Sequence, residues 1–595
     1  MKEVRTPAAA VLGSAQDAPI SLPVSDGAAQ HTIKIDVAVR QQGLVIITGW
    51  CTDADADFAL GVTGENLPGH LTRFDRMDVR RSLGIEGNDC TGFGLVCEYN
   101  ADHVPDLRIT TANASLDLGL RLADAPDQSD LNHYVPVVFS YLQTLPVSTS
   151  LWRRSLTLMP EAGHDPMLLQ GHIDAAAATT CGGYIAGWEV HGAQCLVWLE
   201  DDKGRAFDLD RAYRYFRNDI HAQSFPVADV CLKPGFLCDV PLARPGMHFR
   251  ICGCSPKGKF AMPQTIAKPL SCNSPIAARA LFEVNTPRLD LPNRMRKVDL
   301  PFLGRIKKKE AERQHAAPHT LRKIGSVIDA PDISVIVPLY GRSDMVEHQL
   351  LEFNKDADFQ TCTEVIFVID DPGMNNSFAS HARIWHDICG VPFRWVSAGD
   401  NRGFSGACNL GASVAKGETL LFMNSDVIPI YPGWASALAK VLQNDPDIAL
   451  VAPRLLFPDG SIQHAGMTAK WRDALGLWTN HHPLMGMDPA LDPAKGVTRM
   501  PLVTGACIAI SRKDYDMLGG WSTDYLIGDF EDSDMCLSLR AAGRGVAYVP
   551  EVELIHLERQ SLANAGETGF RDKMTILNAT LYNTRWRKML DGLAT

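Results

Sequence analysis

Hydrophobic positions change their period along this 595-residue chain. Between about residues 31 and 285, short runs such as 44–48, 193–199 and 248–252 are separated by turn residues, the pattern of strands in sandwich-like β modules. From 331 onward the runs are unbroken and alternate with helical spacing. Residues 333–338, 364–369, 393–397 and 419–423 read as strands, with helices over about 343–353, 376–388 and the stretch after Gly403. Near-continuous apolar strands suit a sheet covered on both faces, so the alternation predicts a doubly wound, mostly parallel α/β sheet. Beyond it the pattern predicts a helix over 433–444, a strand over 448–452, a hairpin at Pro458–Gly460 and a strand over 545–550. A closing helix carries Met574, Leu577, Leu581 and Met589 on one face. The stretch 465–499, with Trp471, Trp478, His481 and His482, has no clear period and is predicted to be a lid or binding loop.

The first half repeats weakly. Gly49-Trp50, Arg76 with Asp78, and Gly92-Phe93 match Gly187-Trp188, Arg217 with Asp219, and Gly235-Phe236, with Trp-to-Asp separations of 28 and 31 residues. Core positions for the two Trp, and structural ion pairs for Arg with Asp, are the expected roles. The chain is therefore divided into a flexible leader (1–30), a β-sandwich-like module (31–125), a helical connector (126–165), a second such module (166–285), a basic linker (286–330) and an α/β domain (331–595).

A net charge of −12 gives no overall attraction to nucleic acid, and no nucleic-acid partner is expected. The cations of 294–323 form a local cluster suited to peripheral contact with anionic lipid. No apolar run reaches the length of a membrane helix, and Lys2 and Arg5 before 8–12 only imitate a signal peptide. The 15 scattered cysteines form no paired ligand sets, which suits a reducing cytoplasm.

The candidate chemistry lies at the C-terminal ends of the predicted strands, where ligands bind in such sheets. Asp370 and Asp371 follow one strand, and Asn401-Arg-Gly403 with Asn409 follows another. Asn424-Ser425-Asp426 ends the strand over 419–423, and a carboxylate there can hold a divalent cation that bridges two phosphates. Glu531 and Asp532 open a helix that runs to Gly543.

In this order the motifs resemble glycosyltransferase family 2, the inverting enzymes of GT-A fold, most closely its bacterial polysaccharide and rhamnosyltransferase-like members. The resemblance spans about 331–561. It implies a nucleotide-sugar site at Pro338, Tyr340, Asp370, Asp371, Asn401, Gly403, Asn409, Asn424 and Ser425, with Mg²⁺ or Mn²⁺ at Asp426 and His556. The catalytic base is Asp532, the first choice, or Glu531. Asn424 departs from the usual Asp, and Pro-Gly replaces Gly-Ser after Asp371. Implied partners are a dTDP- or UDP-sugar and a glycan or lipid-linked acceptor, met partly by 465–499, at the inner face of the cytoplasmic membrane. Two other readings compete: a carbohydrate-binding scaffold with a degenerate α/β domain, and a nucleotidyltransferase, for which only Arg342 stands near the first strand.

Overall fold

The computed structural model describes residues 11–12, 19–23, 30–62, 65–84, 91–99, 104–111, 115–124, 131–223, 232–557 and 568–593. The chain divides into two compact units. One comprises 1–176, 185–238 and 245–268, the other 177–184, 239–244 and 269–595.

Within residues 11–120 of the first unit, two of the five-stranded sheets face each other. Ile33, Ile35, Val45, Ile47, Phe93 and Leu95 of one meet Phe58, Leu60, Leu107 and Ile109 of the other. A β-bulge between Ile35 and Val37 turns the strand over, so Val37 and Val39, with Leu44 and Ile46 of the next strand, pack against the helix Leu131–Thr144 instead, and that sheet is apolar on both faces. Two short strands fall within the expected leader: Val11–Leu12 pairs with Ser115–Leu120, and Ile20–Pro23 with Gln30–Gln41. The remainder of the leader is outside the described residues, apart from Pro19 and Gln30.

The repeat is structural. Arg76 holds Asp36 and Asp78, and Arg217 holds Asp174 and Asp219. A Cβ on Gly49 would meet Lys34 O at 2.2 Å, and one on Gly187 would meet His172 O at 2.2 Å, so both positions exclude a side chain. Trp50 packs on Val79 in a core role, while Trp188 is half-buried against Val190 and Ile220.

The second unit holds an 11-stranded sheet. Its strands are β1 (Thr320–Ile324), β2 (Ile333–Leu339), β3 (Thr363–Ile369), β4 (Phe393–Ser397), β5 (Thr419–Met423), β6 (Val427–Pro429), β7 (Ile448–Leu456), β8 (Ile462–His464), β9 (Thr498–Arg499), β10 (Cys507–Ser511) and β11 (Gly545–His556). The order is β1-β4-β3-β2-β5-β10-β7-β11-β6, with β8 beside β7 and β9 beside β11. Pairs β4–β3, β3–β2, β2–β5 and β7–β11 are parallel, and β10 runs antiparallel to both β5 and β7. Two antiparallel steps restore direction, so the C-terminal ends of β2, β3, β4, β5 and β11 and the N-terminal end of β10 share one edge. Helix α1 (Gly403–Val414) lies so close to β2 and β3 that a Cβ on Gly411 would come within 2.4 Å of Ile336 and 2.8 Å of Val368. Helices α2 (Glu531–Ala541) and α3 (Thr568–Leu593) complete the layout.

Two expectations are corrected. The stretch 286–330 is largely helical, including Leu300–Ala316, and much of its charge serves the fold. Arg294 is fully buried, pairs with Asp299 at 3.0 Å and donates to the carbonyls of Leu281 and Val284. Arg305 binds Asp239, and Lys307 donates to Tyr525 O at 2.9 Å. A buried guanidinium needs such partners, and these three cations are withdrawn from the expected lipid-facing patch. The second correction concerns 465–499, where Thr468–Arg472 and Leu477–His481 form a hairpin whose Trp471 and Trp478 cross edge to face.

Candidate active site

Chain reversal at the shared sheet edge sets the first half of the site. Asp370 follows β3, and its N–H donates to Leu339 O at 2.9 Å, which ties it to the end of β2. Its carboxylate accepts Arg402 N–H at 2.7 Å, so it clasps the loop that opens α1. In that loop Asn401 Oδ1 accepts Gly403 N–H at 2.9 Å, and Gly403 adopts φ +68°, a conformation suited to glycine. Burial pushes the Asp370 carboxyl up to about 7, against the N–H groups of Arg402 and Gly403 that favour its charge. Asp371 caps the short turn after it through Gly373 N–H at 2.9 Å. Pro338 is half-buried near the end of β2, and Tyr340 is exposed just beyond it.

The turn Asn424-Ser425-Asp426 leaves β5 and enters β6. Gln349, fully buried on the helix Met345–Asn354, donates to Asn424 O at 3.1 Å and Val427 O at 3.0 Å, fixing the turn from below. Because β6 pairs with the end of β11, Val427 lies opposite His556 and Leu557 N–H donates to Asp426 O at 3.0 Å. The side chains follow: His556 Nε2 stands 3.3 Å from Asp426 Oδ1. On its other side His556 Nδ1 meets Gln463 Oε1 at 2.6 Å. With Gln463 Oε1 accepting, Nδ1 carries a proton, and Nε2 faces the carboxylate as a donor in the charged ring and as a lone pair in the neutral one. In the neutral form the two electron-pair donors suit a shared cation, with the orienting partner that metal-bound imidazoles commonly have. Among the described residues no group of three or more His, Cys, Asp and Glu forms a metal site. A cation here would draw its other ligands from water and phosphate, which is the habit of Mg²⁺. A cleft lined by Leu339, Arg342, Asp344, Ser425 and Asp426 joins this turn to the end of β2.

Asp532, in the first turn of α2, meets the loop that leads into β10. Asn424 N–H donates to Ala506 O at 2.8 Å, and the preceding residue, Gly505, donates its N–H to Asp532 Oδ2 at 2.9 Å. A Cβ on Gly505 would meet the Asp532 Cβ at 3.0 Å and the Trp521 ring at 3.2 Å, so the contact relies on glycine. Asp532 Oδ1 accepts Ser533 N–H at 2.7 Å, and Ser533 Oγ stands 3.3 Å away. A carboxylate offers about four acceptor sites, so two remain beside these N–H groups. Glu531 Oε2, by contrast, is buried without a hydrogen-bond partner. Burial pushes both carboxyls up, and the Asp532 charge pushes Glu531 further. The proton of the pair belongs on Glu531, because the donors around Asp532 favour its ionised form.

The backbone before α2 is strained: Ile527, Asp529 and Phe530 have φ of 64°, 86° and 75°. A β-branched residue in that region is an outlier, held where the surroundings over-determine it. Asn578 of α3 supplies that bracing by accepting Leu526 N–H at 2.9 Å and donating to Leu526 O at 3.0 Å and Gly528 O at 2.6 Å. Asn583 holds the hairpin in the same way, through Trp478 N–H and C=O. From that hairpin Asn480 Oδ1 accepts Ser533 Oγ–H at 2.9 Å, which links the hairpin to the residue beside Asp532. Helical spacing alone marked none of Gln349, Asn578 and Asn583; polar side chains on apolar helix faces were the available signal.

One assigned residue is corrected. Asn409 Oδ1 accepts Tyr515 Oη–H at 2.6 Å and Trp521 N–H at 2.9 Å, while Nδ2 donates to Trp521 O at 2.9 Å. It is a clamp on the Gly520-Trp521 loop, and its amide is committed there rather than to a nucleotide sugar. Of the motif His556 to Ser561, residues 558–561 are outside the described residues.

Residues 334–513 match the model for glycosyl transferase family 2, and the chain carries a glycosyltransferase domain of that family there. It is 34% identical over 164 residues to the uncharacterized protein y4gI of Sinorhizobium fredii (strain NBRC 101917 / NGR234), covering 27% of this chain and 17% of that protein. It is 29% identical over 259 residues to the O-antigen biosynthesis protein RfbC of Myxococcus xanthus, covering 42% of this chain and 19% of that protein. The chain thus spans less than a fifth of either curated relative. Among solved structures it overlaps GalNAc-T7 with UDP, GalNAc and Mn²⁺, at 17% identity and a TM-score of 0.31, over 39% of this chain and 44% of that one. It also overlaps the Pyrobaculum calidifontis mannosyltransferase PcManGT with GDP-Man and Mn²⁺, at 18% identity and a TM-score of 0.28, over 49% and 70%. The strand order above, not these scores, describes the sheet.

Proposed function

We propose that this chain is an inverting glycosyltransferase that moves a sugar from a nucleotide-diphosphate donor to a hydroxyl of a glycan or lipid-linked glycan in cell-surface polysaccharide synthesis. The observation that carries the reading is a site in two halves at one sheet edge. Asp426 Oδ1 faces His556 Nε2 at 3.3 Å, and one strand away Asp532 hangs on Gly505. Asp370 and the 401–403 loop receive the nucleotide, with the Asp370 carboxylate a suitable acceptor for the imide N–H of uracil or thymine, so dTDP- and UDP-sugars are the proposed donors. Asp426 and His556 would hold a divalent cation, which when bound neutralises charge developing on the departing diphosphate. Asp532 draws the proton from the acceptor hydroxyl as it attacks the anomeric carbon from the face opposite the diphosphate. Glu531 stays protonated beside it. One displacement inverts the anomeric centre without a covalent sugar–enzyme intermediate. The name of the Myxococcus relative supports a polysaccharide acceptor.

The test is release of nucleoside diphosphate from a panel of nucleotide sugars, with and without Mg²⁺ or Mn²⁺. Metal-dependent turnover of at least one donor is expected, with near-complete loss in Asp426→Ala. Equal release from both proteins would remove the metal assignment, and glycan binding without turnover would overturn the enzyme reading. No helix among the described residues is long and apolar enough to cross a membrane. We place the reaction at the cytoplasmic face, reached by an acceptor carried in the membrane.

A further inference from the structure

The described residues include 13 cysteines, and 10 of them are buried; Cys181, Cys272 and Cys362 are half-exposed. Two of those three are neighbours although far apart in sequence. Leu270 N–H donates to Ala178 O at 2.8 Å, which lays the segment leading to Cys272 along the hairpin that turns at Cys181. Thr180, whose hydroxyl touches the Cys272 sulfur, is followed in the same turn by Cys181, which makes the two cysteines neighbours. The surroundings favour a thiolate. Lys309 Nζ donates to Thr180 Oγ1 at 3.0 Å, and Thr180 Oγ1 stands 3.2 Å from Cys272 Sγ. With its oxygen occupied by the ammonium, the hydroxyl turns its proton to the sulfur. Cys272 also immediately precedes Asn273, the N-cap of the nine-residue helix Ser274–Phe282, whose first amides favour negative charge. Arg305 donates to Cys181 O at 2.8 Å, with its charge paired to Asp239. An opposing charge is Glu310, whose Oε1 accepts Ser274 N–H at 2.8 Å. Burial raises the Cys272 thiol, but the hydrogen bonds from Thr180, Thr179 and Cys181 outweigh it and bring the thiol below its ordinary value.

We propose that Cys272 and Cys181 form an oxidisable thiol pair in which the Cys272 thiolate is the attacking sulfur and Cys181 the resolving one. With hydrogen peroxide as the oxidant, the thiolate attacks one oxygen, the O–O bond breaks, and hydroxide leaves to become water. The resulting sulfenic acid is attacked by the Cys181 sulfur, and a second water leaves as the disulfide forms. The balance is two thiols and one peroxide to one disulfide and two waters, a two-electron oxidation of the protein. The disulfide staples the 177–184 hairpin tip to the start of the helix Ser274–Phe282. It stands apart from the glycosyl-transfer site, so its failure says nothing of that assignment.

The experiment treats the full chain with hydrogen peroxide and maps its peptides before and after reduction. A peptide joining Cys181 to Cys272, lighter by two hydrogens than the separate pair, is expected. Oxidation scattered equally over Cys362, or absence of the joined peptide, would overturn the pairing. In the reduced protein Cys272 should be alkylated by iodoacetamide at neutral pH faster than Cys362. Lys309→Met should slow that reaction roughly tenfold, the effect of one pKa unit on thiolate fraction. An unchanged rate in the folded variant would overturn the relay. Cys181→Ser should stop the oxidation at sulfenic acid on Cys272, trapped by dimedone.

Discussion

Replacing Asp532 by Asn keeps the size of the side chain and removes its ability to take a proton. The carboxylate gives Oδ2 to Gly505 N–H and Oδ1 to Ser533 N–H. An amide has one acceptor oxygen, so one buried N–H would face the new NH₂ group at a cost of about 1–3 kcal/mol. Against that, the neutral amide escapes the burial that raises the Asp532 carboxyl. The two terms are of similar size, so the melting temperature should move by only a few degrees. Activity should not be spared: loss of a general base removes about 10²–10⁴-fold from the rate, or roughly 3–5 kcal/mol of barrier. Steady-state release of nucleoside diphosphate from the donor found in the panel, beside a thermal melt of the same preparation, separates the two. The wild-type profile of kcat/KM against pH supplies the sign. A base raised by burial is protonated, and lost, at higher pH than an ordinary carboxylate, so the acidic limb should lie above the usual Asp range. A folded Asp532→Asn protein with a rate within about tenfold of wild type would refute the assignment. Full loss in Glu531→Gln with Asp532→Asn still active would move the base to Glu531.

Asp370 gives a stability test. Its folded value of about 7 lies above the ordinary 3.8, so its contribution is complete below about pH 4 and lost as pH rises through about 7. Asp370→Asn should therefore melt above the unliganded wild type at about pH 8 and converge with it at about pH 4; equal melts at both would refute the burial argument. Asn409→Ala should lower the melting point, because Tyr515 Oη and the Trp521 N–H and C=O lose their partner, each worth about 1–3 kcal/mol. A raised KM for donor with an unchanged melt would instead return Asn409 to the nucleotide-sugar site. Ser533→Ala, which cuts the link from the residue beside Asp532 to Asn480, should lower kcat several-fold with little change in donor KM; an unchanged kcat would make the link incidental.

The parallel core was legible because β2, β3 and β5 are buried along nearly their whole length and so appear as unbroken apolar runs. Asp370 and Asp426 were legible as acids placed at the ends of such strands. Their surroundings were not, since they depend on pairings between distant segments. Three-residue β6 has too few residues for a period, yet its pairing with β11 is what brings Asp426 to His556. Asn409 sits in a motif whose glycines serve loop geometry, and nothing in its spacing revealed that Tyr515 and Trp521 would take its amide. The basic stretch misled for a related reason. Charge counted along a chain does not tell a solvated Lys from Arg294, whose guanidinium is enclosed with Asp299 at 0% exposure for both side chains. The hairpin within 465–499 escaped notice because Lys470, Arg472, Asn480 and His481 leave its strands only partly apolar; its order comes from α3, through Asn583.

The anomeric configuration of the product, read by proton NMR before mutarotation or on the isolated glycoside, tests the central claim most directly. A single displacement by an Asp532-activated hydroxyl predicts a linkage of configuration opposite to that of the donor sugar. Retention would contradict it, because a retained centre requires a second displacement or a front-side departure that this arrangement of Asp426, His556 and Asp532 does not provide.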